Sequence, residues 1–139
     1  MIDTQLIASL KRDEGYRAEA YRDTEGVLTI GYGHNLEVEH WSEDRASTAL
    51  WSDMRALEQA FATGHPSEHA VLERQLAGRQ RALLNMLFNL GPSGLAGFRK
   101  MWAALNAGNY EQAAREMLDS KWAKQVGARA TRLAAEMEA

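Results

Sequence analysis

The stretch Ala20-Tyr21-Arg22-Asp23-Thr24-Glu25-Gly26-Val27-Leu28-Thr29-Ile30-Gly31-Tyr32-Gly33 decides the fold class, because no other part of the 139 residues carries a β signal. Asp23-Thr24-Glu25-Gly26 is turn chemistry between two short runs, 20–22 and 27–30, and so predicts a hairpin. Gly31-Tyr32-Gly33 then breaks the second strand or reverses it into a short third one. A hairpin alone is marginal in water, so this one must lean on helices.

Helical signals lie on both sides of it. Asp3 fits the N-cap of a first helix with Leu6, Ile7 and Leu10 on one stripe, and Gly15 fits its end. Glu14 then falls at the helix's C-terminal edge, where the dipole is negative and a carboxylate is disfavoured. A residue set against its local preference hints at function. Ser42 fits the cap of a second helix over about 43–63, along which Ala46, Ala49, Leu50, Met54, Leu57 and Phe61 recur at helical spacing. Gly64 and Pro66 end it, and a short helix is expected after Ser67. Gln80 to Leu90 is apolar nearly all round, which predicts the buried central helix, punctuated by Gly91-Pro92-Ser93-Gly94. Three more helices are expected at about 96–106, 109–119 after the cap Asn109, and 127–136. No linker, repeat or low-complexity tract intervenes. The expected class is α+β, a small hairpin lobe beside a larger all-helical one.

Composition narrows the chemistry. With 45% hydrophobic and 25% charged residues and only 2 Pro, the chain has the makeup of a folded globular domain. The absence of Cys excludes a disulfide framework, a thiolate nucleophile and any cysteine-based metal site. No apolar run approaches the roughly 18 residues of a membrane span. Met1-Ile2-Asp3-Thr4-Gln5 lacks the basic start of a secretory signal, so cytoplasmic synthesis without stable membrane association is expected. The net charge of −3 conceals a polarity: residues 79–132 hold nine Lys/Arg against Glu111, Glu116 and Asp119. That stretch is either a face for an anionic partner or a set of solvated basic helix surfaces.

Neither a serine-nucleophile motif nor a phosphate-binding loop is present. His34, His40, His65 and His69 make no metal signature, since Pro66 interrupts the His65/His69 pair and no HExxH surrounds it. No metal or cofactor is therefore expected. What remains is a pair of carboxylates in contrasting settings: Glu14 at a helix end, expected to be partly buried, and Asp23 in a hydrated turn. Such a pair can serve as general acid and general base in glycoside hydrolysis. Nineteen acidic residues offer many such pairs, so spacing alone leaves the choice open.

The wider string narrows it. Asp13-Glu14-Gly15-Tyr16, Tyr21-Arg22-Asp23-Thr24-Glu25-Gly26 and Thr29-Ile30-Gly31-Tyr32-Gly33-His34 together resemble the catalytic segment of the T-even phage lysozymes, glycoside hydrolase family 24. Gln80, Ala82-Leu83 and Phe88-Asn89-Leu90-Gly91 look like that family's central helix. Gly97-Phe98, Ala113-Ala114, Ser120, Trp122 and Arg129 continue the match. The resemblance covers about 5–133 and is strongest over 13–34. It implies one lysozyme-like domain over 1–139, with a small lobe at about 14–58, a helical lobe made of 1–13 and 59–139, and a cleft between them.

By the same resemblance, Glu14 is the general acid, Asp23 orients or deprotonates a water, and Thr29 helps to hold that water. An inverting reaction follows, with the carboxyls roughly 6.5–9.5 Å apart. An apolar wall is expected to keep Glu14 protonated. Arg129 corresponds to the arginine that pairs with the catalytic glutamate, and its charge opposes that effect. His34 is expected to form an ion pair with Asp53. Phe88 corresponds to a cleft aromatic that packs on substrate. Asn35, Met101 and Glu116 fall where the family has other sugar contacts, though their identities differ. The substrate implied is the glycan strand of peptidoglycan, cut by a monomer without nucleic acid, after synthesis in the host cytoplasm and holin-type release to the periplasm. A non-catalytic wall-binding module and a lytic transglycosylase are the alternatives on the same fold. A nucleic-acid binder using 79–132 leaves residues 13–34 unexplained.

Overall fold

The computed structural model describes residues 1–139. In chain order the elements are α1 (Thr4–Glu14), β1 (Arg17–Arg22), β2 (Leu28–Gly31), β3 (His34–Asn35), α2 (Glu43–Gly64), α3 (Pro66–Glu73), α4 (Ala77–Ala96), α5 (Arg99–Asn106), α6 (Tyr110–Leu118), α7 (Lys121–Val126) and α8 (Ala128–Glu138). Helices dominate and the strands form one small antiparallel sheet in the order β1-β2-β3, so the α+β class holds. No helix is long and apolar enough to cross a membrane. The chain divides into two compact units, Met1–Ala46 and Ser47–Ala139. Residues 1–13, expected among the later helices, thus share a unit with the sheet, and residues 47–58 fall in the helical one.

In Met1–Ala46, α1 starts where Asp3 Oδ1 accepts the Leu6 N–H at 2.8 Å. Lys11 and Arg12 in its last turn complement the helix dipole. It stops at Gly15, whose φ of 72° a side chain disfavours and whose N–H reaches Lys11 O. β1 and β2 pair with Tyr21 opposite Thr29 and Arg22 opposite Leu28. The register is irregular between Arg17 and Tyr21, because Arg17 already faces Gly31. Gly31-Tyr32-Gly33 reverses the chain, so that His34 pairs with Ile30 and Asn35 with Thr29. Of the two readings of that tripeptide, the third strand is the one that forms. Leu6, Ile7 and Leu10 make the expected stripe, but no residue of α1 is buried.

Ser47–Ala139 is a helical assembly with one continuous core. Phe61, Leu83, Met86, Leu87, Leu95, Met101, Met117, Leu133 and Met137 are its largest fully buried side chains. α4 supplies Ala82, Leu83, Met86 and Leu87, as its nearly all-round apolar sequence predicts. Gly91 (φ 75°) followed by Pro92 breaks its geometry without ending the element, so the expected stop is a kink. α6 packs on α5 and α8. α3 begins one residue before Ser67, because Pro66 takes the first helical position, where its missing N–H costs nothing. α7 has no counterpart in the sequence reading: Ser120 Oγ caps it by accepting the Ala123 N–H, and Gly127 (φ 59°) separates it from α8.

Several residues that carry the family resemblance act in this packing. Gln80 donates to Glu73 O at 3.1 Å, at the C-terminal end of α3. Asn89 Oδ1 accepts the Trp122 indole N–H at 2.7 Å, tying α4 to α7. Arg79 is buried and has no carboxylate partner. Its guanidinium lies 3.5 Å from the Tyr110 ring centroid, and its Nε donates to Met137 O at the end of α8. At least one cation of the basic 79–132 stretch is therefore internal and unavailable to a partner.

Candidate active site

Glu14 ends α1 and is exposed, in place of the partial burial and apolar wall expected for it. The end of a helix with no buried face offers a carboxylate little to be covered by. Its position is nevertheless fixed from one side. A Cβ on Gly33 would lie 2.8 Å from Glu14 Oε2 and 3.1 Å from its Cδ, so the carboxylate rests against a backbone that only glycine leaves open. Gly33 also has φ +69°, which independently disfavours any other residue. Gly33 was legible in the sequence only as a strand breaker. Its contact with Glu14 depends on two segments that meet in space.

Asp23 follows β1 directly. Its Oδ1 accepts the N–H groups of Glu25 and Val27, each at 2.9 Å, while its own N–H reaches Val27 O. The carboxylate thus closes the turn with one oxygen and keeps the other clear of hydrogen bonds. Thr29, on the central strand, is the only buried side chain of this unit, and its Oγ1 donates to Val27 O at 2.9 Å. Val27 therefore organises both groups: its N–H holds Asp23 and its carbonyl takes the Thr29 proton. With that proton committed, the Thr29 oxygen can act on a water only as an acceptor.

Glu14 and Asp23 belong to opposite ends of β2, the first through the 31–33 turn and the second through the 23–26 turn.

The carboxylate that His34 meets is nearer in the chain than the expected Asp53. His34 Nε2 lies 3.1 Å from Glu39 Oε1, and Arg45 pairs with the same oxygen. The chain after β3 turns back within five residues, so a local carboxylate takes the place assigned to one on α2. Asp53 lies exposed on that helix, in the other unit. A hydrogen bond from the Trp41 side chain is the main cause that holds the Glu39 carboxyl below its ordinary pKa. Burial opposes it, and the His34 hydrogen bond and the charges of Arg45 and His34 add to it. Asn35 is already engaged: its Oδ1 accepts the Glu37 N–H at 2.8 Å.

The remaining candidates lie in Ser47–Ala139. Phe88 is 42% exposed in an apolar groove of about 540 Å³, with Leu50, Trp51, Met54 and Leu84 beside Arg81, Asn85 and Arg129. Arg129 is pinned to α4, donating from Nε to Asn85 Oδ1 at 2.9 Å and from a terminal nitrogen to Asn85 O at 3.3 Å. Glu116 accepts from Gln112 at 2.8 Å and borders a shallow groove with Arg99 and Lys100. Met101 is fully buried in the core and lies at the floor of that same groove. His65 and His69 both face the Phe61 ring, and no group of three or more His or acidic side chains converges on a metal position.

The phage lysozyme family model matches residues 11–136. The chain is similar to the pre-baseplate central spike protein Gp5 of Enterobacteria phage T4, 34% identical over 89% of this chain and 26% of that protein. It is also similar to the endolysin of Salmonella phage P22, 32% identical over 81% of this chain and 78% of that one. The endolysin of Bacillus phage B103 is 34% identical over 85% of this chain and 44% of its own length. The chain thus spans about a quarter of the spike protein, under half of the B103 endolysin and most of the P22 endolysin.

Proposed function

The chain belongs to the phage lysozyme family, and from that premise we propose that it hydrolyses the β-1,4 bond between N-acetylmuramic acid and N-acetylglucosamine in bacterial peptidoglycan. The observation that carries the reading is the hairpin: Asp23 and Thr29 are fixed by one residue, Val27, at the end of β2 opposite the Glu14 carboxylate. Glu14 gives its proton to the glycosidic oxygen as the C–O bond breaks. A water held by Thr29 and Asp23 attacks the anomeric carbon from the other face, and Asp23 takes the proton that this water loses. Attack by a water from the face opposite the leaving group is an inverting course, for which the carboxyls must stand roughly 6.5–9.5 Å apart.

Asp23 and Thr29 also favour hydrolysis over transglycosylation, which needs a single acid and no activated water. Phe88, in its apolar groove, is the residue assigned to packing on a sugar ring. Glu116 is assigned a secondary polar contact. Arg129 is assigned to balancing the charge of the acid. Asn35 is assigned a sugar contact through its amide N–H groups, its oxygen being held by the Glu37 N–H. The activity is proposed to serve cell lysis, by a monomer that reaches the periplasmic wall through a membrane-permeabilising partner; the endolysin names of two phage relatives support the lytic part of that reading.

Clearing of permeabilised Gram-negative cells tests the reading. Wild type lowers the turbidity, and Glu14→Gln loses at least about 10²-fold in rate with an unchanged thermal melt. Equal clearing by the two proteins contradicts it.

A further inference from the structure

Tyr16, two residues after Glu14, and Tyr32 hold their rings in solvent, 66% and 44% exposed, with their centroids 5.6 Å apart at 47°. Tyr32 immediately precedes Gly33, against which Glu14 rests. Lys11 lies one turn before Glu14 and so on the same face of α1, and its Nζ sits 5.3 Å from the Tyr32 centroid. No carboxylate of the protein pairs with that ammonium. Acid, ring pair and free cation therefore form one continuous surface.

Paired exposed rings on a soluble protein signal a contact surface. Their negative faces attract the positively polarised C–H groups on the flat side of a pyranose. An unpaired ammonium beside them is suited to an anion. We propose that Tyr16 and Tyr32 form a sugar-binding platform adjoining Glu14 that takes one N-acetylhexosamine ring. Lys11 receives the carboxylate carried by that ring's lactyl or stem-peptide substituent. The inference rests on the glycan-hydrolysis reading and adds to it the subsite and its preference for acidic, stem-bearing strands.

The competing role is a staple, in which Lys11 and the rings only fasten the 31–33 turn to α1. Kinetics on soluble glycan strands, with and without stem peptides, separate the two. Tyr16→Ala and Tyr32→Ala are expected to raise KM about tenfold, with kcat within about twofold and the melt unchanged. Lys11→Gln raises KM on stem-bearing strands only. An unchanged KM, or a fall in kcat together with the melting temperature, overturns the platform. A binding arm keeps the proposal decidable without turnover. In the full-length Glu14→Gln protein, titration with a stem-bearing tetrasaccharide shifts the NMR ring resonances of Tyr16 and Tyr32. Unshifted rings overturn the platform alone, whereas equal clearing by wild type and Glu14→Gln overturns the hydrolase reading alone.

Discussion

Every buried apolar side chain of the molecule, from Phe61 to Met137, lies in Ser47–Ala139, whereas Met1–Ala46 buries only Thr29. The helical unit, Ser47–Ala139, is held by area removed from water, at about 25 cal/mol per Å², spread over many side chains. Met1–Ala46 is held by directed contacts: the Asp23 turn, the Thr29–Val27 bond, the sheet ladder and the Glu39 pairs. All three proposed catalytic groups sit in this thinly buried unit. Directed bonds fix individual atoms in a way that apolar packing does not, and they leave the polar groups within reach of substrate. The difference explains how a site can be well positioned on a part of the chain with little core of its own.

The contrast is sharpened by substitutions on each side. Asp23→Asn keeps an oxygen for the Glu25 and Val27 N–H groups but removes the base, so wall-clearing activity should drop about 10²–10⁴-fold while the melt barely moves. Activity retained with a collapsed melt shows instead that Asp23 is structural only. Leu83→Ala hollows the helical core and should cost about 2–5 kcal/mol in urea unfolding. Leu10→Ala on the exposed stripe of α1 should cost well under about 1 kcal/mol, and equal losses break the comparison.

Gly33→Ala brings a methyl against Glu14 and demands a strained φ, for about 1–3 kcal/mol of stability. Its activity should fall further than the stability loss explains, as seen by comparing rates well below the melting temperature. The smallest effect is expected at Glu39. Its carboxyl lies below the ordinary pKa when folded, so it stabilises the fold above that range and loses the contribution as acid protonates it. The melting difference between wild type and Glu39→Gln should be greatest near neutral pH and close in acid. A gap that widens with acid reverses the sign.

Much of this was legible in the residues. The Asp23–Gly26 turn, the Gly15 stop, the buried α4 and the Asn109 cap each follow from local chemistry that acts within a few positions. The Glu14–Gly33 contact was not legible, because it joins a helix end to a turn through space. The same holds for Asn89 with Trp122, two motif residues 33 positions apart whose shared role is a hydrogen bond. The partner of His34 is hard to read for the opposite reason: the spacing points to a distant carboxylate, whereas the chain folds back on itself to supply Glu39. The exposure of Glu14 is not legible either, because an apolar stripe in a helix sequence indicates which face is to be covered and says nothing about how well covered its end is.

Mass analysis of muropeptides released in ¹⁸O-labelled water tests the two-carboxylate account most directly. Reducing-end muramic acid carrying one ¹⁸O is the predicted product for wild type, with none formed by Asp23→Asn. An unlabelled 1,6-anhydro product from wild type would contradict it.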